Sequence, residues 1–345
     1  MKKKIYNVGI AGWGLAGKNF HAPFVWQEPR LSLTHVVTSR DVDGSAFPGV
    51  KRVNTLEDLL AADVDLVVLA TPDALHVEGA KKVLGAGKSV VVEKPLAKTV
   101  QNVRELQTLA DQSTGVLIPF QNRRWDGDFK TVRSLLAENR LGQLHYYESN
   151  WPKYRPVPKL RTAWKASDLS FGLLYDLGAH LIDHTIVLFG APETVWAKVR
   201  GNRSGASLPD WVVIRLTYPN GIIAQLEIDQ LNPFERPRFH LRGNAGSFEM
   251  YGLDPQEERL IAGNQPSTDH WGGYESERFG TLITPPTTTT RIPTINGDYR
   301  AFWRGVVTAL DGGVSPVPLD DVILQMRIFE SIQHSNEKSA AVKLV

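Results

Sequence analysis

The first third of the chain alternates between short apolar runs and segments in which apolar residues recur at helical spacing. Short runs rich in valine, isoleucine and leucine predict buried strands, and the amphipathic segments between them predict helices. The predicted strands are 5–11, 31–38, 66–70, 89–92 and 116–120, and the predicted helices are 56–62, 75–86 and 100–112. Such alternation is typical of a parallel sheet that helices cover on both faces.

The pattern changes after residue 120, where short strands follow one another. They are predicted at 144–150, 194–200, 211–218, 222–230, 238–242 and 246–251. Within "IIAQLEIDQ" (222–230), apolar and polar residues alternate, which indicates an antiparallel sheet with one covered face. We expect another subunit to cover the open face, giving a homodimer or a homotetramer. The segment "PPTTTTRIP" (285–293) is interpreted as an extended surface loop.

The length of 345 residues exceeds that of one ordinary core, so we expect two domains, 1–121 and 122–345. The 39 basic and 37 acidic residues nearly cancel, and no basic block is present that would favour nucleic acid as a partner. No apolar stretch reaches the length of about 18 residues that indicates a membrane span. The absence of cysteine excludes disulfides, thiolate zinc sites and cysteine nucleophiles.

The start, "MKKKIYNVGIAGWGLAG", has lysines ahead of an apolar stretch, as a signal peptide does. The same residues also suit a first strand, and cleavage would remove the glycine motif that follows it. We therefore interpret them as part of the fold and expect a cytoplasmic protein.

A glycine motif follows the first predicted strand: Gly12, Gly14 and Gly17 have the spacing G-x-G-x-x-G. The first glycine allows a tight turn, the second lets the backbone approach a pyrophosphate, and the third lets helix pack on strand. The N-terminus of the helix that follows offers N–H groups and a partial positive charge to phosphates. The pattern alone is weak, but its place between a strand and a helix favours a dinucleotide site.

The end of the second strand, "VVTSRD", bears on which dinucleotide binds. An NAD site usually has an acidic residue there that accepts hydrogen bonds from the ribose 2′-hydroxyl. Here Ser39 and Arg40 come first and Asp41 follows. Because arginine makes forked, charge-assisted hydrogen bonds to phosphate, these residues favour NADP. The alternative is an ordinary polar turn in which Asp41 serves NAD.

Two charged residues, Glu93 and Lys94, end the strand in "VVVEKPLA" (90–97). The ligands of parallel α/β sheets bind beyond the carboxyl ends of the strands. Glu93 and Lys94 are therefore expected where the reactive ring of a bound nucleotide lies.

In the second half, "GLLYDLGAHLIDHTIVLFG" (172–190) predicts a helix with an acid and a base on one face, since Asp176, His180 and Asp183 are spaced by four and three residues. Histidine can take or return a proton near neutral pH, and a carboxylate can orient it. Three alternatives are a structural His–Asp pair, a metal site formed by Asp176, His180 and His184, and simple solvent exposure. We predict no metal, because no further ligand cluster is visible in the sequence.

These motifs together resemble the family of glucose–fructose oxidoreductase, inositol dehydrogenase and rhizopine-catabolism proteins (Gfo/Idh/MocA). The resemblance covers essentially the whole chain and rests on "GWGLAG", "TPDALH" (71–76), "EKP" (93–95) and the D-x-G-x-H-x-x-D run 176–183. "QNRRWDGDF" and "YGLDPQEERL" are similar to the branch of NADP-dependent scyllo-inositol dehydrogenases. The resemblance implies an α/β protein with an N-terminal Rossmann domain and a C-terminal α/β domain whose large, mostly antiparallel open sheet serves oligomerisation. A final helix near 319–334 would pack within that body.

Carried over by residue, the resemblance implies a catalytic set of Lys94, Asp176 and His180. The cofactor positions it implies are Gly12, Trp13, Gly14, Leu15, Gly17, Ser39, Arg40, Thr71, Pro72, His76, Glu93 and Lys94. It also suggests a cis peptide bond before Pro95. Asn122, Arg124, Tyr154 and Trp164 are candidate substrate-lining residues.

The function we expect is reversible hydride transfer between NADP, with NAD as the alternative, and a secondary alcohol of a polyol or sugar. In this hypothesis His180 takes the hydroxyl proton and Lys94 stabilises the alkoxide, although the lysine is the proton donor in another description of the family. The alternatives are an NADPH-dependent sugar or anhydrosugar reductase and a nucleotide-sensing regulator without turnover.

Overall fold

The computed structural model describes residues 3–42, 44–157, 172–204, 208–267 and 270–344. The chain divides into two compact units, each made of three segments. Unit 1 contains Met1–Trp125, Pro255–Gly272 and Asp298–Ile323, and unit 2 contains Asp126–Asp254, Gly273–Gly297 and Leu324–Val345. We expected one uninterrupted second domain after residue 121. In the structure, two later segments, Pro255–Gly272 and Asp298–Ile323, belong instead to the compact unit that contains the N-terminus.

The helices are Ala22–Gln27 (α1), Leu56–Ala61 (α2), His76–Gly85 (α3), Val100–Gln112 (α4), Gly127–Ala137 (α5), Ala179–Phe189 (α6), Gln256–Ile261 (α7), Arg300–Leu310 (α8) and Leu319–Lys338 (α9). The strands are Tyr6–Ala11 (β1), Leu31–Val37 (β2), Lys51–Val53 (β3), Leu66–Leu69 (β4), Ser89–Val92 (β5), Leu117–Pro119 (β6), Leu144–Pro152 (β7), Thr194–Arg200 (β8), Trp211–Thr217 (β9), Ile223–Asp229 (β10), Phe239–Gly243 (β11), Ser247–Met250 (β12), Gly280–Thr284 (β13), Thr288–Ile292 (β14) and Val342–Lys343 (β15). Segments Ala16–His21 and Leu174–Gly178 are wound as π-helices.

Unit 1 is built on a parallel sheet with the strand order β3-β2-β1-β4-β5-β6. The five predicted strands are confirmed, and the short β3 was missed. The strands β4 and β5 are buried along their whole length, as expected of strands covered on both faces. Two helices begin where threonine caps them: Thr55 accepts a hydrogen bond from Asp58 N, and Thr99 accepts one from Asn102 N.

The described part of unit 2 contains a sheet with the order β14-β13-β12-β11-β7-β10-β9-β8-β15. Its neighbours pair antiparallel except for β7 and β10, which run parallel. The six predicted strands are confirmed. The prediction of a loop at 285–293 was wrong, because β14 forms a hairpin with β13 there. Its threonine run suits an exposed edge strand, since β-branched residues fit an extended backbone.

The alternation predicted for β10 is confirmed: Ala224, Leu226 and Ile228 are buried, whereas Gln225 and Glu227 are partly exposed on the opposite face. The buried face is the one on which the π-helical turn and α6 pack. The last helix, α9, extends about one turn beyond the predicted end. Hydrogen bonds to its side chains from Ala197 N and Val199 N tie its C-terminal half to β8.

Candidate active site

The carboxyl ends of β1, β4 and β5 lie side by side, because these three strands are neighbours in the sheet of unit 1. The glycine motif follows β1, Thr71 and Pro72 follow β4, and Glu93 and Lys94 follow β5. The strand order is that of a Rossmann sheet, whose ligands bind where the strand order reverses next to β1. The fold thus gathers three separate predicted motifs at one edge.

Each glycine of the motif has a different surrounding. Gly12 has a φ of +105°, and a Cβ there would lie 2.4 Å from Ala70 O. A Cβ on Gly17 would lie 1.9 Å from Gly12 O, so both positions require glycine for the local fold. A Cβ on Gly14 would meet nothing within 4 Å among the described residues. Gly14 therefore borders open space, which fits a loop that leaves room for a pyrophosphate.

Two of the three residues between these glycines, Trp13 and Leu15, differ in exposure. The bulky Trp13 is buried and packs edge-on against Phe47, with ring centroids 5.7 Å apart, so its side chain does not fill the loop. Leu15 is 56% exposed.

Arg40 and Asp41, which follow β2, have different contacts. Arg40 donates a hydrogen bond from Nη1 to Trp13 O at 3.4 Å, and its backbone N–H bonds to Thr38 Oγ1 at 2.9 Å. The guanidinium therefore lies beside the glycine motif. Asp41 is exposed and lies 3.6 Å from Arg52 Nη1 on β3.

Glu93 is buried at the end of β5 and both of its carboxylate oxygens are engaged. Oε1 lies 3.0 Å from His21 Nε2, and Oε2 accepts a hydrogen bond from Lys94 N at 3.0 Å. Burial raises the pKa of Glu93, but the hydrogen bond and the charge of His21, followed by the charge of Lys94, outweigh burial and hold that pKa below its usual value. The Lys94–Pro95 peptide bond is cis, as the resemblance implied.

The Thr71–His76 loop contacts the same strand end. His76 is buried, and its Nδ1 lies 2.8 Å from Pro95 O while its Nε2 lies 3.0 Å from Thr71 O. Both ring nitrogens are thus used within the protein. Thr71 Oγ1 is buried and has no hydrogen-bond partner among the described residues. An orphaned buried hydroxyl beside the glycine loop fits a position that a bound cofactor would satisfy.

In unit 2, Asp176 and His180 differ in environment. Asp176 is exposed within the π-helical turn, and His180 is 6% exposed in the first turn of α6. The His180 ring lies near-parallel to that of Trp151, with centroids 6.0 Å apart. His180 is therefore not exposed to solvent, which was one of the alternatives that the sequence left open. The sequence did not reveal the π winding, which changes the angular spacing of residues 174–178 from that of the predicted α-helix.

The alternative metal set on this helix included His184. His184 is buried and stacked on Phe129, with ring centroids 3.8 Å apart and planes 7° apart. Among the residues that the structure describes, no group of three or more potential ligands is placed to hold a metal ion.

Of the four candidate substrate-lining residues, two lie in unit 1, one lies in unit 2 and one lies outside the described residues. Asn122 is buried in unit 1, where Arg124 Nη2 also bonds Asp321 Oδ2 at 2.9 Å. Tyr154, in unit 2, is 58% exposed and lines a cavity of about 250 Å³. Trp164 lies outside the described residues.

Two residues near the predicted groups were missed by the sequence analysis. His21 contacts Glu93, and Trp151 stacks with His180. Neither carries a spacing signal in the sequence, since His21 contacts a residue 72 positions away.

The strand order, the glycine loop and the groups at the ends of β4 and β5 define unit 1 as a Rossmann-type dinucleotide-binding unit, here joined to an α/β unit with a nine-stranded sheet in its described part. The chain belongs to the Gfo/Idh/MocA oxidoreductase family. Residues 6–120 match "Oxidoreductase family, NAD-binding Rossmann fold", and residues 133–344 match "Oxidoreductase family, C-terminal alpha/beta domain".

Several proteins are similar over nearly the whole chain. The scyllo-inositol 2-dehydrogenase (NADP+) IolW of Bacillus subtilis is 34% identical, across 98% of this chain and 95% of that protein. The uncharacterized oxidoreductase YdgJ of Escherichia coli is 37% identical, across 94% of each chain. The solved structure of the putative oxidoreductase yvaA of Bacillus subtilis has a TM-score of 0.94 and 33% identity, and covers 100% of both chains.

None of the helices in the described ranges is both long and apolar enough to cross a bilayer.

Proposed function

We propose that the protein catalyses NADP-dependent, reversible oxidation of a secondary alcohol of a polyol or sugar, with scyllo-inositol as the first candidate substrate. The observation that carries this proposal is the position of Lys94, an ammonium-bearing residue directly beyond β5 at the edge where the glycine loop also lies. The similarity to a scyllo-inositol 2-dehydrogenase (NADP+) over 98% of the chain supports the substrate class.

The residues present fit a dinucleotide. The open space at Gly14 suits the pyrophosphate, and the orphaned Thr71 hydroxyl offers a hydrogen bond to the bound cofactor. Arg40, held beside the glycine loop through Trp13 O, supports NADP, because its guanidinium can bind a 2′-phosphate. Asp41 is paired with Arg52 and exposed, which weakens the NAD alternative. Bound NADP+ would supply the hydride acceptor.

The protein's own groups handle the charge and the proton. We assign Lys94 to stabilising the alkoxide that develops as the substrate loses its hydroxyl proton, since a preorganised cation at a developing charge is usually the largest catalytic contribution. We assign His180 to taking that proton, which a histidine does well near neutral pH. Asp176 would orient a substrate hydroxyl or the imidazole.

The test of this function combines a substrate panel with one variant. Purified protein is assayed by NADPH absorbance with scyllo-inositol, myo-inositol and D-glucose, each with NADP and NAD, and with anhydrosugars in the reductive direction. Activity confined to sugar or anhydrosugar reduction would favour the reductase alternative. Turnover of no polyol or sugar in either direction would contradict the proposal.

The variant is Lys94→Ala, which should lower kcat by about a hundredfold or more while NADPH binding, followed by fluorescence, is largely kept. The matched control is Lys81→Ala, on α3 in the same unit. Lys81 makes surface ion pairs with Glu78 and Glu105, and such pairs contribute little. Unchanged kcat in Lys94→Ala would refute the assigned role.

We also propose that a second copy of the chain covers the open face of the unit 2 sheet. This face carries charged and aromatic side chains that pair with one another: Arg236 bonds Glu148 and Glu227, and the Arg242 guanidinium lies 3.9 Å from the centre of the Tyr146 ring. Large sheets with one uncovered face are commonly closed by oligomerisation.

A further inference from the structure

The residues on either side of Lys94 are each held by a buried histidine. His21 contacts Glu93, which precedes Lys94, and His76 contacts the carbonyl of Pro95, which follows it. His21 ends the π-helical segment that begins within the glycine motif, and His76 begins α3 after the Thr71 loop. Each of the two dinucleotide loops is thus connected to the strand end that bears Lys94.

His21 is held tightly in a defined orientation. It is 0% exposed and lies between Phe120 and Trp303, whose ring centroids are 4.5 and 5.8 Å from its own. Its Nδ1 is buried and has no hydrogen-bond partner among the described residues. A proton on Nδ1 would be an unsatisfied buried donor, which costs about 1–3 kcal/mol. Because a carboxylate oxygen only accepts hydrogen bonds, Nε2 carries the proton that is donated to Glu93 Oε1.

Glu93 transmits this contact to the lysine. Its second oxygen accepts the backbone N–H of Lys94, so the carboxylate joins the His21 ring to the main chain at Lys94. A buried carboxylate with both oxygens bonded cannot rotate without losing a hydrogen bond. The Lys94 backbone is consequently fixed relative to the segment that carries the glycine motif.

His76 fixes the other side. Its ring spans Thr71 O and Pro95 O, and carbonyl oxygens only accept hydrogen bonds. A neutral ring donates a hydrogen bond to only one of these two carbonyls, and the imidazolium form donates to both. The ring lies between the loop after β4 and the segment after β5 and is within 3.0 Å of a carbonyl oxygen of each.

We propose that His21 and His76 are positioning residues that couple the two dinucleotide-binding loops to Lys94, so that the lysine is correctly oriented only when both contacts are intact. This inference rests on the role proposed above for Lys94. Neither histidine need touch the substrate, since a misplacement of about 1 Å caused by a distant change lowers turnover by about a hundredfold.

The experiment replaces His21 in two ways. His21→Phe retains an aromatic ring in the slot formed by Phe120 and Trp303 but leaves Glu93 Oε1 without its donor. His21→Gln retains an N–H donor. We expect kcat to fall about tenfold or more in His21→Phe, with the KM for NADP changed much less, and to be partly restored in His21→Gln. His76→Phe should behave like His21→Phe. His145→Gln, at an exposed position in unit 2, is the control and should keep wild-type kcat.

Wild-type kcat in either phenylalanine variant would overturn the inference. A second result would also overturn it: His21→Phe and His21→Gln lose the same amount of kcat, and each loss of kcat is matched by a loss of thermal stability. A histidine with a merely structural role would give that result. A double variant separates this inference from the proposed function. If His21 acts through Lys94, adding His21→Phe to Lys94→Ala lowers kcat no further. If Lys94→Ala keeps wild-type kcat, the proposed role of Lys94 fails, whatever the histidine variants show.

Discussion

The glycine loop offers a sharp prediction, because two of its glycines differ in what a methyl group would meet. A Cβ on Gly17 would lie 1.9 Å from Gly12 O, whereas one on Gly14 would have no neighbour within 4 Å among the described residues. Gly17→Ala should therefore disturb the fold, and Gly14→Ala should disturb only what binds in the open space. The two variants add the same atoms to the same loop, so each is the control for the other.

The magnitudes follow from these surroundings. The oxygen near Gly17 belongs to the backbone and cannot swing away as a side chain would, so the overlap forces a main-chain shift. Overpacking of this kind costs about 1–3 kcal/mol or more. Gly14 does not have a positive φ, and replacing glycine by alanine at a compatible position stabilises by about 0.4–1 kcal/mol through the unfolded chain. The predicted difference in unfolding free energy is thus about 1.4–4 kcal/mol.

Two measurements test this prediction. Urea denaturation of the protein without cofactor should rank the variants Gly14→Ala, wild type, Gly17→Ala from most to least stable. NADPH titration by fluorescence should show Gly14→Ala binding at least about tenfold more weakly, because a methyl group enters the space left for the pyrophosphate. Wild-type affinity in Gly14→Ala, or destabilisation equal to that of Gly17→Ala, would refute the assignment of this space to the dinucleotide.

Three further predictions concern the cofactor, pH and assembly. Arg40→Ala should raise the KM for NADP by about tenfold or more, since hydrogen bonds to charged groups contribute about 1.5–3 kcal/mol, and should leave the KM for NAD nearly unchanged; equal effects on both would contradict a 2′-phosphate contact. The pKa of Glu148 is lowered to about 2, chiefly by the neighbouring His240 and then by hydrogen bonds from Asn150, Arg236 and Tyr146, against burial that raises it. Its stabilisation is therefore present above about pH 4.5 and is lost as the pH falls toward 2. In urea denaturation, Glu148→Gln should be less stable than wild type by about 2 kcal/mol at pH 7, after allowance for solvent screening, with the gap closing at low pH; a pH-independent gap would contradict this reasoning. Light scattering should give a mass of two or four times 38.4 kDa, and a single-chain mass would refute closure of the sheet by a second copy.

The sequence predicted the strands well because both sheets rest on simple apolar patterns. In unit 1, β4 and β5 are buried from end to end and read as uninterrupted apolar runs. In unit 2, β10 is buried on alternate residues and reads as strict alternation. Four strands of the described ranges were missed, β3, β13, β14 and β15, and none of them has an uninterrupted apolar run or a strict alternation of apolar and polar residues. The residues of β3 are mostly exposed, and β14 is an exposed threonine-rich edge strand. Such strands form because a neighbouring strand offers hydrogen bonds, which local hydrophobicity does not record.

The sequence predicted which motifs of the candidate site lie together, because the order of the strands brings separate motifs to one edge of the sheet. Once β1, β4 and β5 are taken as parallel neighbours, their carboxyl ends must meet, so Gly14, Thr71 and Lys94 are brought to one edge without any knowledge of side-chain contacts. The discontinuous units could not be predicted in the same way. Segments 255–272 and 298–323 belong to unit 1 through tertiary contacts, and no local pattern in them specifies which core they join.

The contacts of His21 and His76 could not be predicted from the sequence, for a physical reason. His76 lay within a recognised motif, and its contact with the cofactor stays a prediction. The contacts of its two ring nitrogens with main-chain carbonyls were not predicted. His21 lay in no motif, yet it contacts Glu93 across 72 residues. Its direction depends on the π-helical segment that it ends, whose wider turns shift side chains relative to an α-helix. A sequence pattern states which residue types are available for chemistry. Which of them touch the reacting groups, and which only hold others in place, depends on main-chain geometry that must be observed.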